Sequence, residues 1–346
     1  MKKIVLTGGG TAGHVTPHFA VLPYLKKHFD KIYYVGVNGG IEQKLILQKN
    51  IEFFGISATK LKRGFHLENT AIPFKLLRSV NEAKKILSKI QPDVVFSKGG
   101  FVGLPVTIAS KKLKIPVVIH ESDLSLGLSN RLALSYADKL LTTFESTAKK
   151  HKKGEFVGAI VREDLFSVSR AEGLKYYGFS TGKPIILVTG GSQGAKFLND
   201  ALRSVLPSIL KEFNVLHLVG KGNISNVNLS GYKQVEFTDM KYAYAVSDYC
   251  VSRAGSNTAF ELLFNNIPTL FIPLPKGNSR GDQIDNALFF KEKGVCSVLM
   301  QESLTAESFL NGVFNLVENS KKLQRAVNEL KYPLGNRKIA QILNKY

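Results

Sequence analysis

A strand, a glycine-rich turn and a helix occur twice in this chain of 346 residues, and that repeat restricts the fold more than any other feature. Lys2-Lys3-Ile4-Val5-Leu6-Thr7 reads as a short buried strand, Gly8-Gly9-Gly10-Thr11 as its turn, and Val15 to about Leu25 as an apolar-periodic helix. At an offset of 182 residues, Ile185-Ile186-Leu187-Val188 leads into Thr189-Gly190-Gly191-Ser192-Gln193-Gly194 and then a helix from about Ala195 to Lys211. Further strands are expected at Ile32–Val35, Glu52–Ile56, Val94–Phe96, Val117–Ile119 and Leu140–Thr142. In the second half they are expected at Val215–Val219, Gln234–Phe237, Tyr249–Val251, Thr269–Ile272 and Val295–Leu299. Strands alternating with helices predict parallel sheets covered on both faces, and the length suffices for two cores of roughly 150 residues each. The predicted fold class is therefore α/β with two doubly wound, Rossmann-like halves. An N-terminal domain of residues 1–159 plus 333–346 and a C-terminal domain of 160–332 are expected, the last residues folding back on the first half.

Composition narrows the functional classes. Lys and Arg number 47 against 27 Asp and Glu, a net charge of +20, so an anionic partner is implied: nucleic acid, a phosphorylated ligand or an acidic membrane face. A generally lysine-rich surface is the competing explanation. Only Cys250 and Cys296 are present, without metal-ligand spacing, which excludes a disulfide scaffold and fits a reducing cytoplasm. No run approaches the roughly 18 apolar residues of a membrane span, and the first residues read as a strand rather than a signal peptide.

The glycine turns carry the chemistry. Gly8 to His14 precedes a helix, where unpaired backbone N–H groups attract anions; a tight turn without ligand is the alternative. A nicotinamide site is disfavoured because Tyr34-Val35-Gly36-Val37-Asn38 ends without the ribose-binding acid, and a triphosphate loop because Gly182-Lys183 is followed by Pro184. Lys98-Gly99-Gly100-Phe101-Val102-Gly103 is a second donor-rich turn on the same sheet edge, and His120-Glu121-Ser122-Asp123 adds titratable groups there. Two such loops suit a pyrophosphate. In the second half, Arg253-Ala254-Gly255-Ser256 opens a helix bearing Glu261, and Gly281-Asp282-Gln283 opens another. Arg253 with a helix start suits a diphosphate and Glu261 the hydroxyls of a ribose; a solvated helix start and face is the alternative.

These blocks, in this order, resemble the MurG family of bacterial N-acetylglucosaminyltransferases, of glycosyltransferase family 28. The match runs through Gly8–Pro17, Gly99–Pro105, His120–Asp123, Gly158–Arg162, Gly190–Ala195, Phe237–Met240, Ser252–Glu261 and Asp282–Ala287. The resemblance implies a GT-B fold, two Rossmann-like domains facing each other across a cleft, and inverting transfer of N-acetylglucosamine from UDP-N-acetylglucosamine to the C4 hydroxyl of the muramoyl sugar of undecaprenyl-linked lipid I. Donor contacts would come from Phe237, Thr238 and Met240 at uracil, Glu261 at ribose, Ser192, Gln193, Arg253 and Ser256 at the diphosphate, and Asp282 and Gln283 at the sugar. Thr11, Asp123 and Arg162 would complete that site, while Gly9, Gly10, Gly13, Gly99, Gly100 and Phe101 would surround the acceptor pyrophosphate. Such enzymes often carry Gly, Tyr and Asn where this chain has Ala12, Phe101 and Asp123. The last difference matters because a carboxylate only accepts hydrogen bonds.

The chemistry requires a base, for which His14 is the first candidate and Glu121 the second. Cations and helix starts would meet the charge on the leaving UDP, so neither metal nor other cofactor is expected. The stripe Ile72, Leu76, Val80, Ala83, Leu87 and Ile90 reads as core. Phe65, Phe74 and Leu77, set among Lys62, Arg63 and Lys75, suit peripheral docking on the anionic cytoplasmic face of the cell membrane; a solvated helix face is the alternative. A UDP-sugar 2-epimerase of the same twin-domain plan and a basic nucleic-acid-binding protein are the rival functions. Without a recognisable binding module, nucleic acid is not expected as a partner.

Overall fold

The computed structural model of the protein describes residues 1–58, 72–180, 182–191, 194–277 and 280–346. Two compact units emerge, the first formed by Met1–Arg162 with Tyr332–Tyr346 and the second by Glu163–Lys331.

Unit 1 is built on seven strands: β1 (Lys3–Thr7), β2 (Lys31–Val37), β3 (Glu52–Ile56), β4 (Val94–Ser97), β5 (Val117–Glu121), β6 (Lys139–Thr142) and β7 (Gly154–Phe156). They lie in the order β3-β2-β1-β4-β5-β6-β7 and every pairing is parallel. Alternation along each strand sends successive side chains to opposite faces. Ile4, Leu6 and Phe96 enter one core with helix α1 (Thr16–Leu25), whereas Val5 and Val95 enter the other. Helix α2 (Ile41–Leu47) follows β2. The second core is covered by α3 (Ile72–Ile90) and α4 (Gly100–Lys112), with Val80, Ala83, Leu87 and Ile90 buried as their helical spacing requires. Ile339, Ala340, Ile342 and Leu343, on the helix Asn336–Leu343, are buried in the first core. Two bonds tie down the start of that segment: Asn336 Nδ2 donates to Val161 O at 2.7 Å and Ala159 N to Pro333 O at 2.9 Å.

Unit 2 repeats the plan with six strands: β8 (Ile185–Thr189), β9 (Asn214–Leu218), β10 (Tyr232–Val235), β11 (Tyr249–Ser252), β12 (Thr269–Phe271) and β13 (Ser297–Val298). Their order is β10-β9-β8-β11-β12-β13, again all parallel. Ile186, Val188, Val215 and Val251 pack against Leu198, Leu202 and Val205 of the helix Lys196–Ile209 and against Phe309 and Val313 of the helix Ala306–Leu330.

Three sequence expectations are corrected. The third strand of unit 2 is Tyr232–Val235 rather than Gln234–Phe237, because its ladder with β9 ends at Val235 and the chain then turns to Asp239, which caps the next helix. The last strand shrinks from Val295–Leu299 to two residues, leaving Cys296 just outside it, buried and directed at Ala287 O. An edge strand, β7, was not expected: Gly154-Glu155-Phe156 is too short and polar for an apolar-run signal.

Two buried histidines couple this packing to pH. His217 on β9 lies 2.8 Å from Tyr232 Oη through Nδ1 and 3.0 Å from Asn199 Oδ1 through Nε2. Burial, then the Arg203 charge, pushes its pKa down to about 3. His18 on α1 is pushed down to about 3 as well, by burial first and the Lys98 charge second. Both are neutral when folded and titrate near 6.5 once unfolded, so the unfolded chain binds more protons between about pH 3 and 6.5. Their stabilisation is complete above about pH 6.5 and lost as pH falls below it. The thermal midpoint is expected to drop between pH 7 and pH 5, and to drop less in His217→Gln, followed by circular dichroism.

Candidate active site

In an open parallel sheet the order reverses at one place, and there the strand-end loops diverge and leave room for a ligand. In unit 1 that place lies between β1 and β4, where the turns Gly8–Gly13 and Lys98–Phe101 meet. Gly100 has φ +73°, and a Cβ on it would strike the Gly9 carbonyl. Gly10 has φ +84° and faces the Phe101 ring. Glycine at these two positions is what lets the turns touch. From below, the buried Glu42 of α2 accepts from Gly10 N at 3.3 Å and Val37 N at 3.1 Å. Sequence reasoning missed Glu42; nothing marks it among the other polar residues of a short helix.

His14 ends a 3-10 turn, Ala12–His14, that leads toward α1, and its Nδ1 lies 2.9 Å from Thr11 Oγ1. With Nδ1–H donating to that hydroxyl, Nε2 keeps its lone pair. The end of β5 is built differently. The buried Glu121 carboxylate accepts four bonds, from Ser122 N at 2.9 Å, Asp123 N at 3.1 Å, Gly127 N at 2.9 Å and Asn130 Nδ2 at 3.0 Å. A carboxylate so occupied anchors the turn that follows β5. His120 is fully buried; burial first, then the Lys98 charge, pushes its pKa well below the usual range. Its Nδ1 faces Lys98 Nζ at 2.6 Å. Lys98 is the second residue that sequence reasoning missed as a functional group, having read it only as the start of a glycine turn.

In unit 2 the reversal lies between β8 and β11. Ser192 and Gln193, expected at a diphosphate, lie outside the described residues. Ser256 is buried as the first residue of the helix Ser256–Phe264. Arg253 is not a loose cation beside it: Nη1 donates to Ile272 O at 2.9 Å and Pro273 O at 3.2 Å, and Nη2 to Gln301 Oε1 at 2.5 Å. Backbone carbonyls left unpaired at the end of β12 capture the guanidinium, so the residue braces three loops. Glu261 accepts from Tyr244 Oη at 2.8 Å. Tyr244 lies one turn along the helix Met240–Val246, whose first residue is Met240, so this bond ties two helices carrying expected nucleotide contacts. Just upstream, Phe237 is 58 % exposed and Thr238 Oγ1 lies 2.6 Å from Tyr177 Oη. Gln283 Oε1 accepts from Leu274 N at 3.0 Å, and Asp282 Oδ1 from Arg280 N at 3.2 Å. Arg162 is half-buried at the end of the first segment of unit 1.

The expected membrane residues divide. Phe74 and Leu77 on α3 are 76 % and 56 % exposed, and Lys75 between them is exposed. Lys62, Arg63 and Phe65 lie outside the described residues. Among the described residues no helix is long and apolar enough to cross a membrane, and no three His, Cys, Asp or Glu side chains gather as metal ligands.

Known structures share this architecture. The crystal structure of Acinetobacter baumannii MurG is similar with TM-score 0.75 and 26 % identity, covering 100 % of both chains. The Streptomyces glycosyltransferase SsfS6, solved with thymidine diphosphate, has TM-score 0.70 over 100 % of both chains at 14 % identity, a likeness of fold alone. Paired Rossmann-like domains of this kind are the GT-B architecture, and the family matches define the class as a glycosyltransferase. Residues 4–142 match the glycosyltransferase family 28 N-terminal domain and residues 185–341 its C-terminal domain. A UDP-N-acetylglucosamine--N-acetylmuramyl-(pentapeptide) pyrophosphoryl-undecaprenol N-acetylglucosamine transferase of Clostridium botulinum is 45 % identical over 95 % of this chain and 93 % of its own. The transferase of the same description from Clostridium perfringens is 44 % identical over 99 % and 98 %. The chain belongs to glycosyltransferase family 28 and, within it, to the MurG family.

The touching turns make one site variant informative. Gly100→Ala would add about 1–2 kcal/mol of left-handed backbone strain and push a methyl group against the Gly9 carbonyl. A lowered thermal midpoint together with loss of transferase activity is expected, read by melting and by product formation.

Proposed function

We propose that this protein transfers N-acetylglucosamine from UDP-N-acetylglucosamine to the C4 hydroxyl of the muramoyl sugar in lipid I, giving lipid II with inversion at the anomeric carbon. The observation that carries this reading is similarity along nearly the whole chain to transferases so described. Unit 1 is assigned the lipid-linked acceptor and unit 2 the nucleotide-sugar donor.

The acceptor oxygen attacks C1 of N-acetylglucosamine, the C1–O bond to UDP breaks, and the hydroxyl proton goes to His14 Nε2. His14 fits because Thr11 holds its ring and the adjoining glycine turns offer N–H groups to a pyrophosphate. Glu121 is assigned to holding the turn, since four donors already occupy its oxygens. UDP departs with negative charge on its diphosphate. The helix start at Ser256 supplies N–H donors for it, and Arg253 fixes the loops around it. Glu261, steadied by Tyr244, takes the ribose hydroxyls, and Phe237, Thr238 and Met240 border the uracil. Asp282 and Gln283 of unit 2 are assigned to the sugar of the donor. Product analysis after mixing the protein with UDP-N-acetylglucosamine and a short-chain lipid I analogue tests the reading. One β-linked disaccharide product is expected, and His14→Gln should lower kcat by about a hundredfold or more, the typical contribution of a general base.

The acceptor's lipid requires approach to a bilayer. Phe74 and Leu77 are apolar tips beside Lys75, and each cation near an anionic surface contributes about 1 kcal/mol. We assign this face of α3 to peripheral docking on the cytoplasmic leaflet. Phe74→Ser combined with Lys75→Glu should reduce retention on phosphatidylglycerol vesicles in a sedimentation assay, leaving the thermal midpoint unchanged.

A further inference from the structure

His217 takes no part in the scheme above, yet it stands in the middle of a chain of hydrogen bonds inside unit 2. Its ring is fully buried on β9, Asn199 is buried on the helix Lys196–Ile209, and Tyr232 is buried at the start of β10. Each proton in this chain can be placed. Asn199 Nδ2 lies 3.0 Å from Val219 O. A carbonyl only accepts, so the amide nitrogen faces it and the amide oxygen is left for His217. His217 Nε2, 3.0 Å from that oxygen, therefore carries the ring proton. The neutral ring then accepts at Nδ1 from Tyr232 Oη, 2.8 Å away. Donors thus run one way, from Tyr232 through His217 and Asn199, and the last of them is delivered to Val219 O.

β9 ends at Leu218, so Val219 begins the loop 219–223. This loop joins two parts of the strand-end edge. A Cβ on Gly194 would fall on Val219 O, so the residue that precedes the helix-capping Ala195 packs directly on the carbonyl held by Asn199. On the other side, Val219 N donates to Val235 O at 3.0 Å and Gly222 N to Glu236 Oε1 at 2.6 Å, immediately before Phe237 and Thr238. Arg203, one turn along the helix from Asn199, holds the far end of the loop, its Nη2 donating to Asn223 O at 2.6 Å.

We propose that the Tyr232–His217–Asn199 chain sets the loop 219–223 between Gly194 and Glu236, making His217 a positioning residue for the nucleotide of the donor. The inference rests on the function proposed above, in which Phe237 and Thr238 border the uracil. The ring is buried, so its effect passes to the loop through Asn199.

The test compares His217→Leu, His217→Gln and Asn199→Ala with the wild-type protein. UDP binding is measured by calorimetry, transfer to a short-chain lipid I analogue by product formation, and the loop 219–223 by amide hydrogen exchange. Leu leaves the Asn199 amide oxygen and the Tyr232 hydroxyl without their partner, whereas Gln again supplies one donor and one acceptor. His217→Leu and Asn199→Ala should weaken UDP binding on the order of tenfold and speed exchange in the loop. KM for the donor should rise by a similar factor, while kcat and KM for the acceptor stay near the wild-type values. A general loss of folded protein would instead lower kcat. His217→Gln should restore both UDP affinity and slow exchange. Wild-type affinity in His217→Leu and Asn199→Ala, or a Gln variant as weak as the Leu variant, would overturn the proposal. Tyr232→Phe removes only the hydroxyl that donates to Nδ1, and decides the matter where His217→Leu does not fold: both readouts should move the same way by a smaller factor, and wild-type values would refute the chain. A wild-type protein that did not bind UDP would end the donor assignment of unit 2 itself, whereas normal UDP binding with loop exchange unmoved by every variant would end the positioning role alone.

Discussion

Backbone N–H groups at the end of a parallel strand run out of ladder partners, and a buried N–H without an acceptor is costly. Unit 1 meets this constraint with two buried carboxylates. Glu42 lies under the turn after β1 and Glu121 under the turn after β5, and between them they accept from five backbone amides and one side-chain amide. Gly8, Gly9 and Gly99 are buried while Gly10 and Gly13 stay exposed above this support. Glu121 positions Ser122 and Asp123 through their amides, and Glu42 holds Gly10 beside the Phe101 ring.

Unit 2 reaches a similar topology with other means. A guanidinium replaces the carboxylate as the central brace: Arg253 donates to carbonyls, where Glu42 and Glu121 accept from amides. The difference follows from which backbone groups are left over, carbonyls after β12 and amides after β1 and β5. Two tyrosines then connect neighbouring elements, Tyr244 to Glu261 between two helices and Tyr177 to Thr238 between a helix and a loop. Doubly wound halves therefore share strand order while their polar supports are particular to each.

Much of the framework was legible in the chain because parallel strands buried on both faces are unbroken apolar runs, as in Ile4-Val5-Leu6 and Ile185-Ile186-Leu187-Val188, followed by glycine turns. The buried members of the α3 stripe were legible from helical period alone. What escaped was polar and distant. Glu42 and Lys98 acquire meaning only when Gly10 and His120, 32 and 22 residues away, come beside them. The capture of Arg253 by Ile272 and Pro273 escaped too, because it depends on how β11 and β12 end. Short strands such as β7 and β13 exist through pairing rather than through any pattern of their own.

The helix Asn336–Leu343 fills the core of unit 1 although more than 160 residues of unit 2 intervene in the chain. A polypeptide emerging from the ribosome at roughly 5–20 residues per second therefore exposes the apolar face of Ile4, Leu6 and α1 for many seconds before its cover is synthesised. Unit 2, made of one uninterrupted segment, completes its own core sooner. The half that begins first is the one that matures last, and it is the half whose nascent hydrophobic surface a chaperone would find open.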